Sequence, residues 1–583
     1  MASHLHTTLA MIEERKQLGP KVTLDGNHLT IPAVVALSGD KSLKVALSED
    51  ALEETAANQA YLQKKLGEGL VVYGINTGFG GSADVRSSKL EEVQKSLIRA
   101  VNAGMGRMFP ANVTRAAMVT RANCLVKAYS GVRPDVPKVL TELINNDIIP
   151  CVPLRGSVSA SGDLMPLGYI AAAMIGRTDL AVEHSGSRMT CPEAMEKAGV
   201  QPITLGPKEG LAIINANSFA AGVSAPTLYD ANLVLLLTQV CTGLSIEALR
   251  GRTESFHPVI HKCLPHVGQM EIAQNMLTIM KDSKLAITEL DMHLPDKYGV
   301  LKQDRYSLRS SPQWLGSVAE TLNDACRRIT IELNSANDNP IIDHRTNTIA
   351  NGANFQGETM SIAMDQTRQV MGVCGKLLLA QFQEVVNAKL NIGMPPNMSG
   401  CDINSDVGFK GCDTAMASYM SELDHLVNPM SNHVLSAETH NQSVNSMALV
   451  SARLTAEAVE IVQMMVANLL CLTVQAVDLR HLRNLALHEI DALRDQLPAA
   501  QELLKDIEWY DLMYQGEERL AALDEEVGTG DTERVAAERV VYKRLLGLYK
   551  TACSGNLDTD KYMGKGLCSV LIMRFSCFPF KFN

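Results

Sequence analysis

Between Met430 and Leu497 the chain contains neither glycine nor proline, and Val444, Met447, Leu454, Ala458, Ile461, Met465, Leu469 and Leu472 recur at spacings of three, four and seven. Such spacing puts the apolar side chains on one stripe and predicts a long helix. A helix of about 45 residues would be about 68 Å long at 1.5 Å per residue, longer than most globular domains are wide. A similar apolar texture recurs over residues 358–390 and 218–250, each interrupted by glycine and the second also by one proline. Several long helices side by side predict an extended bundle, and the second apolar flank that such helices often carry favours oligomerisation.

The first third is patterned differently. Val22-Thr23-Leu24 and Leu29-Thr30-Ile31 flank Asp25-Gly26-Asn27-His28, which predicts a small hairpin. Ser48 ahead of residues 51–66 predicts a capped helix that stops near Gly67. Val71-Val72-Tyr73 then runs into Gly74-Ile75-Asn76-Thr77-Gly78-Phe79-Gly80-Gly81, where four glycines in eight residues predict a mobile loop. The expected fold is therefore mainly α, with a long central helical bundle and a mixed α/β N-terminal part. The expected boundaries are 1–217 for the mixed part, 218–500 for the bundle and 501–583 for a C-terminal helical segment. Within that last segment, residues 517–538 read as a solvated, charge-rich excursion, and the aromatic stretch 567–583 as a packed tail.

Composition narrows the function. The 583 residues are 46% hydrophobic, ample for a large core, and 53 basic against 64 acidic residues give −11. No basic stretch suits phosphate binding, so nucleic acid is not an expected partner. The N-terminal 20 residues carry Glu13, Glu14, Arg15 and Lys16 and lack a signal peptide's apolar core. Apolar runs such as 231–237 are too short to span a bilayer. Thirteen cysteines without a Cys-x-x-Cys read as reduced thiols, and hence a cytoplasmic protein. The fourteen histidines show no metal spacing, and no Gly-x-Gly-x-x-Gly, Walker loop, His-Glu-x-x-His or Gly-x-Ser-x-Gly occurs. Neither a metal nor a nucleotide cofactor is expected.

Chemistry enters at Arg155-Gly156-Ser157-Val158-Ser159-Ala160-Ser161-Gly162-Asp163-Leu164-Met165-Pro166-Leu167. In its plainest reading this is a loop of small residues with Asp163 capping the next helix. In another, the nitrogen of Gly162 attacks the carbonyl of Ala160, and loss of two waters, one including the Ser161 hydroxyl, leaves an electrophilic 4-methylidene-imidazol-5-one. Glycine leaves its nitrogen unobstructed, alanine is small, and serine supplies the leaving hydroxyl. The tripeptide alone is a weak signal, expected by chance in roughly one such chain in five at about 7% usage per residue.

Its company is more specific. The Tyr73 loop, the segment from Gly156 to Leu167, Gln303-Asp304-Arg305-Tyr306-Ser307-Leu308-Arg309-Ser310-Ser311-Pro312-Gln313-Trp314, Asn337-Asp338-Asn339-Pro340, Asn354-Phe355-Gln356-Gly357 and Ser436-Ala437-Glu438-Thr439-His440-Asn441-Gln442 occur in this order. With them the chain, from about Leu24 to Leu487, resembles the aromatic amino acid ammonia-lyases and aminomutases related to histidine ammonia-lyase. Among the branches it looks most like the eukaryotic phenylalanine ammonia-lyases.

The resemblance implies roles. Tyr73 would take the β-proton, although a free phenol titrates near 10 and on its own reads as a loop anchor. Arg309 would clamp the α-carboxylate with its planar fork, and Tyr306 would assist amine transfer beside the cofactor. Asn215 and Asn339 would hold cofactor or substrate, Phe355 would wall the pocket, and Gln303 would serve the carboxylate side. Glu438 and Gln442, on one face if helical, would lie near the substrate amine and cofactor. A homotetramer with active sites shared between subunits is implied too, with at most a reduced form of the plant enzymes' C-terminal insertion.

Two departures matter. Ala100-Val101 stands where the eukaryotic enzymes carry Phe-Leu at the ring end of the pocket. The pocket should thus be wider, without the histidine of tyrosine-selective relatives, and a bacterial phenylalanine aminomutase shares Ala-Val. Asn215-Ala216-Asn217 replaces the usual Asn-Gly-Thr. The expected reaction is conversion of L-phenylalanine to trans-cinnamate and ammonia. The alternatives are an aminomutase giving β-phenylalanine, either chemistry on a larger aromatic such as tryptophan, a fumarase-type lyase (whose Gly-Ser-Ser-x-Met-Pro-x-Lys loop is absent), and a catalytically silent helical scaffold.

Overall fold

The computed structural model describes residues 3–288, 301–401, 406–497, 509–525 and 532–553. Among the described residues the chain is mostly helical, with short strands confined to the first 350. It divides into two compact units, each gathered from separate segments. One comprises residues 1–233, 319–371 and 425–460, and the other 234–318, 372–424 and 461–583.

In the first unit, Lys21–Leu24 pairs in parallel with Lys44–Leu47. The expected hairpin is therefore not formed. Asp25 turns the chain by accepting the N–H groups of Asn27 at 2.8 Å and His28 at 3.0 Å. Thr30 is not a strand residue: its hydroxyl caps the helix Ile31–Gly39, and Pro32 occupies the first turn. That helix supplies the crossover a parallel pair requires, and the cap-then-proline signal outweighs the β-branched run that suggested a strand. Glu49–Gly67 is a helix capped by Ser48, as expected.

The long helices are present. Ser218–Ala248 carries Pro226 within it, Glu358–Val386 has 29 residues, and Ala448–Gln496 has 49. The last begins later than the apolar stripe predicts, leaving Val444 and Met447 outside, with Met447 at a φ of 55°. Polar side chains before it bond elsewhere than along a helix: the Asn445 amide donates to the Leu435 carbonyl at 2.6 Å, and the Ser446 hydroxyl to the Ser159 carbonyl at 3.1 Å. Such bonds compete with helix formation.

By length and composition the helical spans Glu209–Ala248 and Ala448–Gln496 could each cross a membrane, which the short apolar runs did not suggest. The apolar windows are 78% and 50% buried within the chain itself, the first as in a core helix.

In the second unit, Trp509 Nε1 donates to the Gly393 carbonyl at 2.9 Å, and the hydroxyls of Tyr514 and Tyr549 donate to the carbonyls of Ser399 and Gly400, each at 3.1 Å. These aromatics tie helices Trp509–Tyr514 and Thr532–Cys553 to the 393–400 turn. Among the described residues of the charge-rich 517–538 stretch, Leu523, Ala537 and Glu538 are buried. Glu538 is 2% exposed and accepts from Arg519 at 2.8 Å and Arg534 at 3.0 Å. Gly528-Thr529-Gly530 and the tail 567–583 lie outside the described residues.

Two helices of the first unit pack backbone to backbone at Gly222, where an added Cβ would come within 2.6 Å of the Ala117 backbone in helix Ala111–Leu125. Gly222→Ala is expected to cost about 1–3 kcal/mol through overpacking. Gly547, on helix Thr532–Cys553, faces open space, and Gly547→Ala should gain roughly 0.5–1 kcal/mol. Urea or thermal unfolding of the two variants reads the opposite signs.

Candidate active site

The Ala160-Ser161-Gly162 tripeptide lies between strand Pro153–Arg155 and helix Leu164–Met174. It is gripped from three directions within the first unit. Gly162 has a φ of 73°, and a Cβ on it would fall inside the backbone of Ala216, so only glycine fits. Its N–H donates to the Phe355 carbonyl at 2.9 Å. The Asn215 amide donates to the Ser161 carbonyl at 3.3 Å, and the Gln442 amide to the Ser161 hydroxyl at 3.1 Å. Because that bond fixes the Asn215 NH2 toward Ser161, its Oδ1 is left as a buried acceptor without a partner.

Asp163 occupies the N-cap position, but its carboxylate does not cap its own helix. It accepts the Ala220 N–H at 2.7 Å and the Ser159 hydroxyl at 2.8 Å, joining the tripeptide to the start of helix Ser218–Ala248. Ser159 has a φ of 53°, and its hydroxyl also accepts the Leu449 N–H at 3.1 Å. Several bonds thus hold a backbone conformation that serine seldom adopts. Burial drives the Asp163 carboxyl up to about 6, opposed by the N–H groups of Ala220 and Phe219 and the Ser159 hydroxyl.

Tyr73 is half-buried at the head of the glycine-rich loop, which is irregular as expected. Its flanking Val72 and Ile75 sit in a core cluster with Leu62 and Ile342, so its backbone is anchored although the loop is not regular. Gln94, fully buried, donates to the Gly74 carbonyl at 3.0 Å and accepts the Leu211 N–H at 3.0 Å. It joins the loop to helix Glu209–Ile214, which ends at Asn215. The phenol oxygen accepts the Gly80 N–H at 2.8 Å. Burial raises the Tyr73 phenol above its ordinary value, the Gly80 bond lowers it, and the charge of Glu438 raises it further.

Glu438 and Gln442 do not share a helix face. Glu438, Thr439 and His440 have φ of 49°, 50° and 70°, and Ala437 bridges Gln442 across the turn. The turn still brings both to the site, Gln442 onto Ser161 and the Glu438 carboxylate against Gly80, where a Cβ would overlap it. The Asn441 amide donates to Glu438 Oε2 at 2.9 Å.

Asn339 makes no bond to the tripeptide. Its Oδ1 accepts the Gly352 N–H at 2.8 Å and so fixes the turn that delivers Phe355. Phe355 meets Gly162 through its carbonyl. Ala100 and Val101 end helix Leu90–Val101. Ala100 is exposed, while Val101 packs so closely on Gly168 that a Cβ there would clash with it.

Gln303, Tyr306 and Arg309 belong to the second unit. There the Arg309 guanidinium lies 4.5 Å from the Tyr306 ring centroid, and Tyr306 is 72% exposed. Glu384 holds the residues on either side of Tyr306, accepting from Arg305 at 2.8 Å and from the Ser307 hydroxyl. Among the described residues no group of three His, Cys, Asp or Glu side chains is placed to hold a metal ion.

The sequence model of the family described as aromatic amino acid lyase matches residues 29–499. The chain belongs to that family. A phenylalanine aminomutase (L-beta-phenylalanine forming) of Taxus chinensis is 42% identical over 492 residues, covering 82% of this chain and 72% of that protein. A phenylalanine ammonia-lyase of Aspergillus hancockii is 42% identical over 504 residues, covering 83% and 71%. Among solved structures, phenylalanine ammonia-lyase from the yeast Rhodosporidium toruloides superposes with a TM-score of 0.82 at 31% identity, over 97% of this chain and 90% of that one. The Pantoea agglomerans phenylalanine aminomutase gives 0.75 at 30% identity, over 79% and 90%.

For this aromatic amino acid lyase, sequence reasoning on the tripeptide passed over Asp163's true partners and Gln94. Asp163 stands in a motif, but its Ala220 partner lies 57 residues on, and Gln94 sits outside every motif. A buried carboxyl raised to about 6 from 3.8 favours the protonated folded state. Its contribution is therefore full below pH about 4 and is lost as pH rises through about 6. Relative to Asp163→Asn, the wild type should lose up to roughly 3 kcal/mol of unfolding free energy between pH about 4 and about 7, at ~1.36 kcal/mol per unit. Paired denaturant titrations across that range check it.

Proposed function

We propose that this lyase eliminates ammonia from L-phenylalanine to give trans-cinnamate, using an electrophile that Ala160, Ser161 and Gly162 form by themselves. The observation that carries the proposal is the grip on Gly162. Its N–H meets the Phe355 carbonyl, which polarises the nitrogen that must attack, while the packing on Ala216 admits no side chain. The donors on Ser161 fit the product as well. Asn215 would remain on the carbonyl that the imidazolone keeps, and Gln442 supports departure of the hydroxyl. Once formed, the ring supplies an electrophilic carbon that takes up the substrate amine and turns it into a better leaving group.

The remaining work falls to ordinary side chains. Tyr73 removes the β-proton. A phenol raised by burial and by Glu438 is neutral in the free enzyme, and the cation of a bound amino acid is what favours the phenolate. Arg309 clamps the α-carboxylate, Gln303 assists it, and Tyr306 helps transfer the amine. The exposure of Tyr306 at 72% supports a homotetramer in which subunits complete one another's active sites. Phe355, Ala100 and Val101 form the apolar side of the pocket. Ten free cysteines among the described residues, six of them buried, fit a reducing cytoplasm.

The second reading is an aminomutase that returns the amine to the β-carbon. It is favoured by the 42% identity to the Taxus chinensis enzyme and by the Ala100-Val101 pair. The two differ in how long the Tyr73 loop shelters the intermediate acid.

Purified enzyme given L-phenylalanine should accumulate cinnamate absorbance with little β-phenylalanine on chiral chromatography, and Tyr73→Phe should lower kcat by roughly 100- to 10,000-fold. Early β-phenylalanine in excess of cinnamate would make the enzyme an aminomutase. Neither product would remove phenylalanine as the substrate and direct the assay to tryptophan.

A further inference from the structure

One ion pair of the first unit is removed entirely from water. Lys208 is 0% and Asp338 1% exposed, and Lys208 Nζ meets Asp338 Oδ2 at 2.6 Å. The same ammonium donates to the Ser130 carbonyl at 2.9 Å, and Asp338 Oδ1 accepts the Asn339 N–H at 2.7 Å. Desolvation pulls the Lys208 ammonium down, Asp338 pulls it up, and the fully buried Arg121 nearby pulls it down again. A buried charge pair is weak evidence for stability, because an apolar pair of similar volume often does as well. Its retention here asks for another reason, and its position supplies one.

Lys208, with a φ of 70°, starts helix Glu209–Ile214, whose far end is Asn215. From there Asn215 donates to the Ser161 carbonyl, and Ala216 walls Gly162 and accepts the Asp163 N–H at 2.7 Å. Asp338 starts the other arm: Asn339 fixes Gly352, and the turn beyond presents the Phe355 carbonyl to Gly162 N. The arms touch once more where the Asn217 amide donates to the Asn354 carbonyl at 3.3 Å. Thus one arm holds Ser161 and the Cα of Gly162, the other holds the nitrogen of Gly162, and Lys208–Asp338 joins the two at their base.

We propose that the Lys208–Asp338 pair is a positioning element for cyclisation of Ala160-Ser161-Gly162, fixing the register between the Asn215–Ala216 wall and the Phe355 carbonyl. The inference rests on the self-formed electrophile proposed above. In the step it serves, the Gly162 nitrogen forms a bond to the carbonyl carbon of Ala160. The Ala160 oxygen leaves as water with the amide hydrogens of Gly162 and Ser161, and the Ser161 hydroxyl leaves with the Ser161 α-hydrogen as a second water. No oxidant or co-reactant enters. A misplacement of about 1 Å between reacting groups can cost on the order of 100-fold in rate, and an unanchored arm would introduce a shift of that kind.

The test compares wild type with the double variant Lys208→Met/Asp338→Asn, which removes both charges of the pair together. Each is followed after synthesis by the ring's near-ultraviolet absorbance, with circular dichroism and thermal unfolding recording the fold. The double variant is expected to unfold cooperatively like wild type but to gain the absorbance roughly ten- to a hundredfold more slowly. A folded double variant that matures at the wild-type rate overturns the proposal. So does one that does not fold, since the pair would then serve the fold and not the register. If wild type itself never gains the absorbance, the self-formed electrophile fails instead, and the two failures are told apart.

Discussion

Gly162 is enclosed by backbone on both sides, with Ala216 against its Cα and the Phe355 carbonyl on its nitrogen. No side chain larger than hydrogen can enter. This contact explains why distant parts of the chain must meet. Helix Glu209–Ile214 delivers the wall, the turn fixed by Asn339 delivers the carbonyl, and the irregular segment before helix Ala448–Gln496 delivers Gln442 to Ser161. Asp163, buried and drawn toward Ala220, ties the tripeptide to the first turn of a core helix. Local strain at Ser159 is held in place by the packing around it.

The Tyr73 loop depends on the same frame. Gln94 links Gly74 to the helix that ends at Asn215, so the proposed base and the proposed electrophile share a support. Glu438 stands against Gly80 because that position lacks a Cβ, and its charge acts on the phenol whose oxygen accepts the Gly80 N–H. Glycines in this loop thus make room for a carboxylate as well as for a turn.

Helices were legible where period and caps agree, as at Ser48 and along residues 448–496. The reading failed at Thr30, where a cap followed by proline looked like a strand, and at 430–447, where Asn445 and Ser446 spend their hydrogen bonds on other segments. At the site, motif residues could be named because several specific segments occur in order. What the sequence concealed is which atoms they use. Phe355 reaches Gly162 by its carbonyl, Asn339 acts on Gly352, and Asp163, Gln94 and Lys208 work through partners dozens of residues away. Tertiary contacts of that separation leave no period or spacing to read.

Mass spectrometry of tryptic peptide 156–177 reads whether the chain makes its own electrophile. This peptide from the native enzyme is expected to be lighter than its sequence by two waters, and Ser161→Ala to abolish the deficit. A peptide at full sequence mass from a preparation that turns over an aromatic amino acid would contradict the self-formed electrophile.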